Sequence, residues 1–301
     1  MNVSGSDTAV IRDTLVKVVT KNVIVFLLGI FINYINASLV QTFRKQQIFN
    51  TNPRYILFCH LVINDMIQVT TAVVLFLLSY ILYTINTSLC CALIILALIT
   101  NENTPLNLAC MAVECYVAIC LPLRHVQICT VKRTHVLIGL LWLMSLTSVL
   151  PDLFVVVAYM PAEFFQSRIF CLRLTAFPVP IIQKKEEVTY ALYLVIVWII
   201  IFYTYFQILF TAKTASKDSK KARDTIILHG FQVLLCMATY VEYALKHALK
   251  IWFPRYYSDS LFACYIIIQI FPRSISPIIY GVRDKKFRKY LRRHLICKIT
   301  S

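Results

Sequence analysis

Long uninterrupted runs of apolar residues, rather than alternating apolar and polar positions, dominate this chain. An α-helix rises about 1.5 Å per residue, so a run of about 20 apolar residues crosses a hydrocarbon core of roughly 30 Å. Strands cross a membrane only as a closed barrel of alternating segments, and the sequence lacks that alternation. The pattern therefore predicts an all-α integral membrane protein, a bundle of seven transmembrane helices at about 22–43, 55–83, 89–120, 135–159, 188–211, 225–249 and 260–281.

Basic residues collect on one side of these predicted helices. The chain of 301 residues is 59% hydrophobic and 15% charged, with a formal net charge of +16. Lys and Arg are concentrated in the segments 44–54, 124–133, 213–223 and 283–298. The positive-inside rule then places the N-terminus outside and the C-terminus in the cytoplasm. A basic rim of this kind attracts anionic membrane lipids, so the charge does not indicate a nucleic-acid partner.

The predicted organisation is one membrane domain with two short ends: an outer tail over 1–21, the seven-helix domain over 22–281, and a cytoplasmic helix and tail over 282–301. The last segment carries apolar residues on one helical face, at Phe287, Leu291 and Leu295, and this is typical of an amphipathic helix on the inner leaflet. Cys297 either accepts a palmitoyl chain or stays free. Asn2 begins an Asn-Val-Ser glycosylation triplet in the outer tail. The longest outer connection, 160–187, shows no strong helical period.

Polar residues inside the predicted helices are candidates for function. Asp65 lies in the middle of helix 2, where an unpaired acid costs about 2.5–3.5 kcal/mol on insertion scales. Asn36 and Ser276 can supply its partners, and both a polar core with a sodium ion and one without it stay open. Pro277 removes a backbone hydrogen bond and permits a bend in helix 7.

Three motifs carry a family resemblance. Met111–His125 reads Met-Ala-Val-Glu-Cys-Tyr-Val-Ala-Ile-Cys-Leu-Pro-Leu-Arg-His. It resembles the odorant-receptor pattern Met-Ala-x-Asp/Glu-Arg-Tyr-x-Ala-Ile-Cys-x-Pro-Leu-Arg-Tyr/His, with Cys115 in place of the arginine. Residues 221–229 resemble Lys-Ala-x-x-Thr-x-x-x-His, and 272–281 resemble Pro-x-x-Asn-Pro-Ile-Ile-Tyr-Ser. The chain is identified as a member of the odorant receptor family of rhodopsin-like (class A) G-protein-coupled receptors, most like the fish branch.

The resemblance implies a receptor in the plasma membrane, by analogy in olfactory sensory neurons, rather than an enzyme. It implies binding of a small odorant within the bundle and activation of a stimulatory, heterotrimeric G protein, with no cofactor and no metal. A non-olfactory class A receptor is the alternative. The family also joins helix 3 to the following outer loop by a disulfide, which implies Cys90–Cys171 here; the neighbouring Cys91 could compete.

The family binds its ligand among the outer halves of helices 3, 5, 6 and 7. The matching positions are Leu98, Asn101, Glu102, Thr104, Tyr240, Glu242, Tyr243, Gln269 and Arg273. Arg273 is an intramembrane cation and must pair, and Glu102 is the nearest acid by depth, so we expect a Glu102–Arg273 pair. Glu242 would then be free to bind an amine, unless Lys246 pairs with it. Ala97 occupies the place of the aspartate that amine receptors use.

Coupling to the G protein is implied at the inner ends of the helices, through Glu114, Cys115, Tyr116, Pro122, Tyr205, Lys221, Ser276, Pro277 and Tyr280. Cys115 cannot hold a permanent charge or donate five hydrogen bonds, as arginine does. Glu114 is therefore expected to turn to Lys132 or Arg133, or to take a proton. The hypothesis is that the receptor still couples, and the alternative is that it binds odorant and signals weakly.

Overall fold

The structure, a computed structural model, describes residues 15–212 and 257–274, together with positions 227, 231, 245, 248, 249, 251 and 252. The predictions for the outer tail, most of helix 6, the end of helix 7 and the C-terminal helix lie outside these residues. Among the named sites this holds for Asn2, Lys221, Tyr240, Glu242, Tyr243, Ser276, Pro277, Tyr280 and Cys297.

The described helices are, in chain order, α1 (Leu15–Lys45), α2 (Gln47–Asn50), α3 (Pro53–Ile81), α4 (Thr87–Cys120), α5 (Pro122–Ile128), α6 (Val131–Tyr159), α7 (Ala162–Gln166), α8 (Arg173–Ala176), α9 (Pro180–Ala212) and α10 (Tyr257–Tyr265). Five of them, α1, α3, α4, α6 and α9, are long and apolar enough to cross a membrane. They coincide with the first five predicted spans, and each begins before its predicted start. A π-helical segment, Ile266–Ile270, continues α10 into the predicted seventh span.

Polar caps explain where the long helices begin. The side chain of Asn52 accepts a hydrogen bond from the Arg54 backbone N–H at 3.1 Å, and Asn86 accepts one from Ser88 at 2.9 Å. A helix leaves its first N–H groups without internal partners, so such side chains stabilise the start of α3 and α4. Pro180 opens α9, where the missing N–H of proline costs nothing.

Helix α4 is central among the described helices, because it packs against α3, α6 and α9, while α1 packs against α3. Side chains such as Leu61, Leu108 and Met111 are fully buried between them. Large apolar side chains on the opposite faces, including Phe31 and Phe202, are exposed. Apolar exposure on this scale suits helices that face lipid rather than water.

The segment predicted as an irregular connection, 160–187, is more ordered than its sequence indicates. It contains α7, a strand β2 (Arg168–Ile169) and α8, and it ends at Pro180, where α9 begins. Strand β2 pairs antiparallel with β1 (Ile85–Asn86). These elements are too short to be stable alone, so they depend on contacts with the bundle. The local sequence therefore carries little sign of them.

The predicted disulfide is confirmed. Cys90 at the start of α4 is bonded to Cys171, with 5.6 Å between their Cα atoms. Cys91 stays a free thiol, and its Sγ lies 3.6 Å from the carbonyl oxygen of Ala176. We call this end of the bundle the disulfide end, and the opposite end, where α5 lies, the α5 end.

Candidate functional site

The first polar group inside the bundle is the arginine cluster, formed by Asp65, Gln68, Asn101 and Arg273. Arg273 is only 2% exposed, and its Nη2 donates to Asn101 Oδ1 at 3.1 Å. Gln68 donates to the same oxygen at 3.2 Å. The Nε atom of Arg273 lies 4.0 Å from Asp65 Oδ1. The cluster therefore joins α3, α4 and the helical segment that follows α10.

The structure corrects one expected pair. Arg273 pairs with Asp65 and Asn101, and not with Glu102. Arg273 also lies beside Asp65, whereas neither polar atom of the Asn36 side chain has a hydrogen-bond partner in the part of the chain that the structure describes. Ser276, the other partner expected for Asp65, lies outside the described residues. Asn101 and Glu102 are neighbours in one helix, so their side chains point about 100° apart. Matching by depth could not separate these two directions.

The second group is the glutamate cluster, formed by Glu102, Ser148, Asp152 and Lys185. The Ser148 hydroxyl donates to Glu102 Oε1 at 3.0 Å. Lys185 donates to Asp152 Oδ1 at 2.6 Å and to the carbonyl oxygen of Ser148 at 2.5 Å. Sequence reasoning missed three of these residues. Asp152 could have been identified from the sequence, since it is an acid directly after Pro151 within an apolar run.

The other described positions of the predicted ligand site are separated. Leu98 packs against an apolar cluster at the disulfide end, which includes Ile94 and Phe177. Thr104 accepts a hydrogen bond from Asn64 Nδ2 at 2.9 Å, so its hydroxyl faces α3. Gln269 lies half-buried in the π-helical segment. The structure thus brings Asn101 together with Arg273, and it places Glu102 and Thr104 against two different helices.

At the α5 end, Glu114 pairs with His125. Glu114 Oε1 lies 3.2 Å from His125 Nε2, and the Glu114 side chain is only 7% exposed. The expectation that Glu114 turns to Lys132 or Arg133 is wrong. Lys132 is exposed, and Arg133 Nη1 donates to the Gln127 carbonyl oxygen at 2.7 Å. Helix α5 begins directly after α4 and folds His125 back against it, a turn that sequence spacing alone did not indicate.

Cys115 occupies the place of the expected arginine and is 2% exposed within the main apolar core. Next to it, the rings of Tyr116 and Tyr203 meet edge to face, with centroids 6.0 Å apart. Cys120 Sγ lies 3.3 Å from Thr211 Oγ1. These contacts join the end of α4 to α9. Tyr205, also on α9, packs against the same core.

The Glu114 carboxylate also affects Cys129, which lies in the short connection after α5. Partial burial, and then the nearby Glu114 charge, raise the pKa of the Cys129 thiol. This thiol is therefore held in its neutral form at physiological pH, which makes it a weak nucleophile. We do not assign it a role in the site.

Comparison with known proteins decides the family. Residues 15–280, which are most of the chain, match the family described as "7 transmembrane receptor (rhodopsin family)". The chain belongs to this family. It is also similar to Odorant receptor 131-2 of Danio rerio, with 32% identity over 280 residues that cover 91% of this chain and 85% of that protein.

The receptor family confirms the predicted class and the seven-helix architecture, and its members are receptors rather than enzymes. In this receptor the two polar clusters lie on the part of α4 nearer the disulfide end. The contact between Glu114 and His125 lies at the other end of the same helix. Helix α4 therefore links the candidate ligand region to the candidate coupling region.

Proposed function

We propose that this receptor binds a small odorant between its helices near the disulfide end, and responds by activating a stimulatory heterotrimeric G protein at the α5 end. The observation that carries the proposal is the similarity, over nearly the whole chain, to an odorant receptor of Danio rerio. The arginine and glutamate clusters support the ligand region, since binding sites combine apolar walls with a few well-placed polar groups.

For the ligand region we retain Leu98, Asn101, Glu102, Gln269 and Arg273 as candidate contacts. Their roles differ. Asn101 and Arg273 are held within the arginine cluster, so they shape the wall of the site. Thr104 is tied to α3 and supports the same wall. Tyr240, Glu242 and Tyr243 stay predictions from the sequence.

For coupling we propose that the Glu114–His125 contact replaces the ion pair that the arginine would make. The buried Glu114 carboxylate needs a partner, and His125 provides it from α5 rather than from the adjacent position. If this contact broke, α5 would no longer be held against the end of α4, and the two could move relative to each other. The proposed coupling surface is completed by the other residues that the family resemblance places at the inner ends of the helices: Tyr116, Pro122, Tyr205, Lys221, Ser276, Pro277 and Tyr280.

Odorant-evoked signalling tests the function directly. Cells that express the receptor with an olfactory stimulatory G protein are exposed to odorant mixtures, and cyclic AMP is measured. We expect a rise that requires both the receptor and the G protein; cells lacking either one are the controls. If odorants stabilise the purified receptor against heat but evoke no cyclic AMP, the weak-coupling alternative holds. If neither effect occurs with receptor at the cell surface, the proposal is wrong.

We also propose residence in the plasma membrane with the N-terminus outside, on the basis of the basic segments on one side of the predicted helices. An epitope tag before Met1 is then expected to bind antibody on intact cells. A tag after Ser301 is expected to bind only after permeabilisation. The reverse labelling would contradict this orientation.

A further inference from the structure

One carboxylate oxygen in the glutamate cluster lacks a hydrogen-bond partner. Glu102 is 3% exposed, and its Oε1 accepts from Ser148 at 3.0 Å. Its Oε2 is buried, with no hydrogen-bond partner among the residues that the structure describes. A buried polar atom left without a partner costs free energy, and a charged one costs more. Such an atom is therefore a natural point of contact for a bound ligand.

Lys185, the cation of the glutamate cluster, is already engaged. Lys185 is held by the Asp152 carboxylate at 2.6 Å and by the Ser148 carbonyl oxygen, and it makes no ion pair with Glu102 within the described residues. Lys185 and Asp152 form an ion pair with each other, so the Glu102 carboxyl group has no ion-pair partner of its own among the described residues.

The second buried cation of this region is not available either. Arg273 lies around the helix axis from Glu102, where Asn101 and Asp65 hold it. The Ser148 hydroxyl fixes one carboxylate oxygen and so orients the other. Ser148 on α6 and Lys185 on α9 belong to the same cluster, so the unpartnered oxygen of Glu102 lies where α4, α6 and α9 meet.

We propose that Glu102 is the ligand-recognising acid of this receptor, and that it binds the amino group of a small organic amine. This inference rests on the proposed odorant-receptor function and names the ligand class. An ammonium group offers the N–H donor and the positive charge that the Glu102 carboxyl group does not receive from Lys185, and charge-assisted hydrogen bonds are the strong ones. An acid and an amine form the same ion pair whichever of them holds the proton before binding.

Three probes share a six-carbon chain and differ only in their polar group, so they distinguish recognition of the amino group from recognition of the hydrocarbon. They are hexylamine, 1-hexanol and hexanoate. Concentration–response curves for cyclic AMP are recorded for the wild type, Glu102→Gln and the matched control Glu163→Gln, an exposed loop acid on α7. Surface expression is measured in parallel. We expect the wild type to respond to hexylamine at the lowest concentration. We expect Glu102→Gln to raise its half-maximal concentration about ten- to a hundredfold, and Glu163→Gln to leave it unchanged.

This inference is overturned if Glu102→Gln responds to hexylamine as the wild type does. It is also overturned if the wild type prefers 1-hexanol or hexanoate. Either result leaves the proposed receptor function intact. Failure of every odorant class would instead overturn the proposed function. A measurement on the wild type alone covers the case in which Glu102→Gln does not reach the surface. Hexylamine must then raise the melting temperature of the purified receptor more than 1-hexanol does, and an equal or smaller shift would sink the proposal.

Discussion

A single step along α4 separates the two polar clusters of this receptor. Asn101 points to α3 and Arg273, whereas Glu102 points to α6 and Ser148. Because a helix turns about 100° per residue, adjacent polar residues meet different neighbours. Each buried charge thereby finds its own environment, and Arg273 is the cation beside Asp65.

Removing one partner of the Asp65–Arg273 pair leaves the other charge buried. We expect Asp65→Asn and Arg273→Gln each to lower the free energy of unfolding by about 3 kcal/mol. The double variant should lose less than the sum of the two single losses, because neither charge then remains. Thermal or denaturant unfolding of the purified receptor in detergent checks this. Simple addition of the two losses would show that the residues do not interact.

The Glu114–His125 contact predicts how the missing arginine is compensated. If it holds the resting state, His125→Phe raises basal cyclic AMP, because Glu114 loses its partner. Cys115→Arg gives Glu114 an adjacent cation. In that background His125→Phe should have a smaller effect, since a second partner is present.

Four receptors form the matched set: wild type, His125→Phe, Cys115→Arg and the double variant. Basal and odorant-evoked cyclic AMP are compared at equal surface expression. No change in basal signal for His125→Phe would contradict a resting role for this contact. An equal effect of His125→Phe in both backgrounds would show that the introduced arginine and His125 do not share Glu114.

At the scale of elements, the segment 160–179 between α6 and α9, which we call the disulfide loop, is held by several weak contacts and one covalent bond. Strands β1 and β2 have two residues each, and α8 has four. The Thr87 hydroxyl and backbone N–H also contact the Ser167 carbonyl oxygen, both at 3.0 Å. Short elements of this kind keep their shape only because α4 anchors them. The Cys90–Cys171 bond is the strongest of these anchors.

Loss of that bond should destabilise the receptor far more than loss of the neighbouring thiol. The disulfide closes a loop with a sequence separation of 81, and the chain-entropy estimate for such a loop is about 4 kcal/mol. We expect Cys90→Ser to lower the melting temperature and surface expression strongly. Cys91→Ser, the adjacent free thiol, is the control and should change them little. Similar losses for both variants would argue against a special role for the bond.

At the scale of the whole molecule, a charged contact joins the first and last described helices. Lys17 donates to Asp259 Oδ2 at 2.8 Å, and Lys21 lies 2.9 Å from Oδ1. These two hydrogen bonds lower the pKa of Asp259 below its ordinary value of 3.8. The side chain of Asp259 is 41% exposed, so solvent weakens the contribution. The contact nevertheless ties α1 to α10 at the disulfide end.

A depressed pKa in the folded state means that the contact stabilises the receptor fully above the ordinary carboxyl range. The stabilisation is lost as the pH falls through the lowered pKa, because a protonated Asp259 no longer attracts the two lysines. We expect Asp259→Asn to flatten the fall in melting temperature on acidification below about pH 4. Glu163→Gln, which removes an exposed loop acid, is the control. An unchanged slope for Asp259→Asn would contradict the prediction.

The family and the transmembrane segments were accessible from the sequence because both depend on the local order of residues. A segment that crosses lipid must satisfy its own backbone, so apolar length alone reveals α1, α3, α4, α6 and α9. The Met111–His125 motif likewise identifies the family despite Cys115, since the surrounding letters carry it. The disulfide was found through the same resemblance.

Partners of buried charges required the tertiary structure. Asp65, Glu102, Glu114 and Arg273 were all recognised as important from the sequence. The expected Glu102–Arg273 pair and the expected turn of Glu114 to Lys132 or Arg133 were wrong. The direction of a side chain around its helix, and the helix that it meets there, depend on how the bundle packs. The sequence by itself determined which segments enter the membrane and which receptor family they form. Only the packing decided that Arg273 meets Asp65, that His125 meets Glu114, and that one buried oxygen of Glu102 has no hydrogen-bond partner among the described residues.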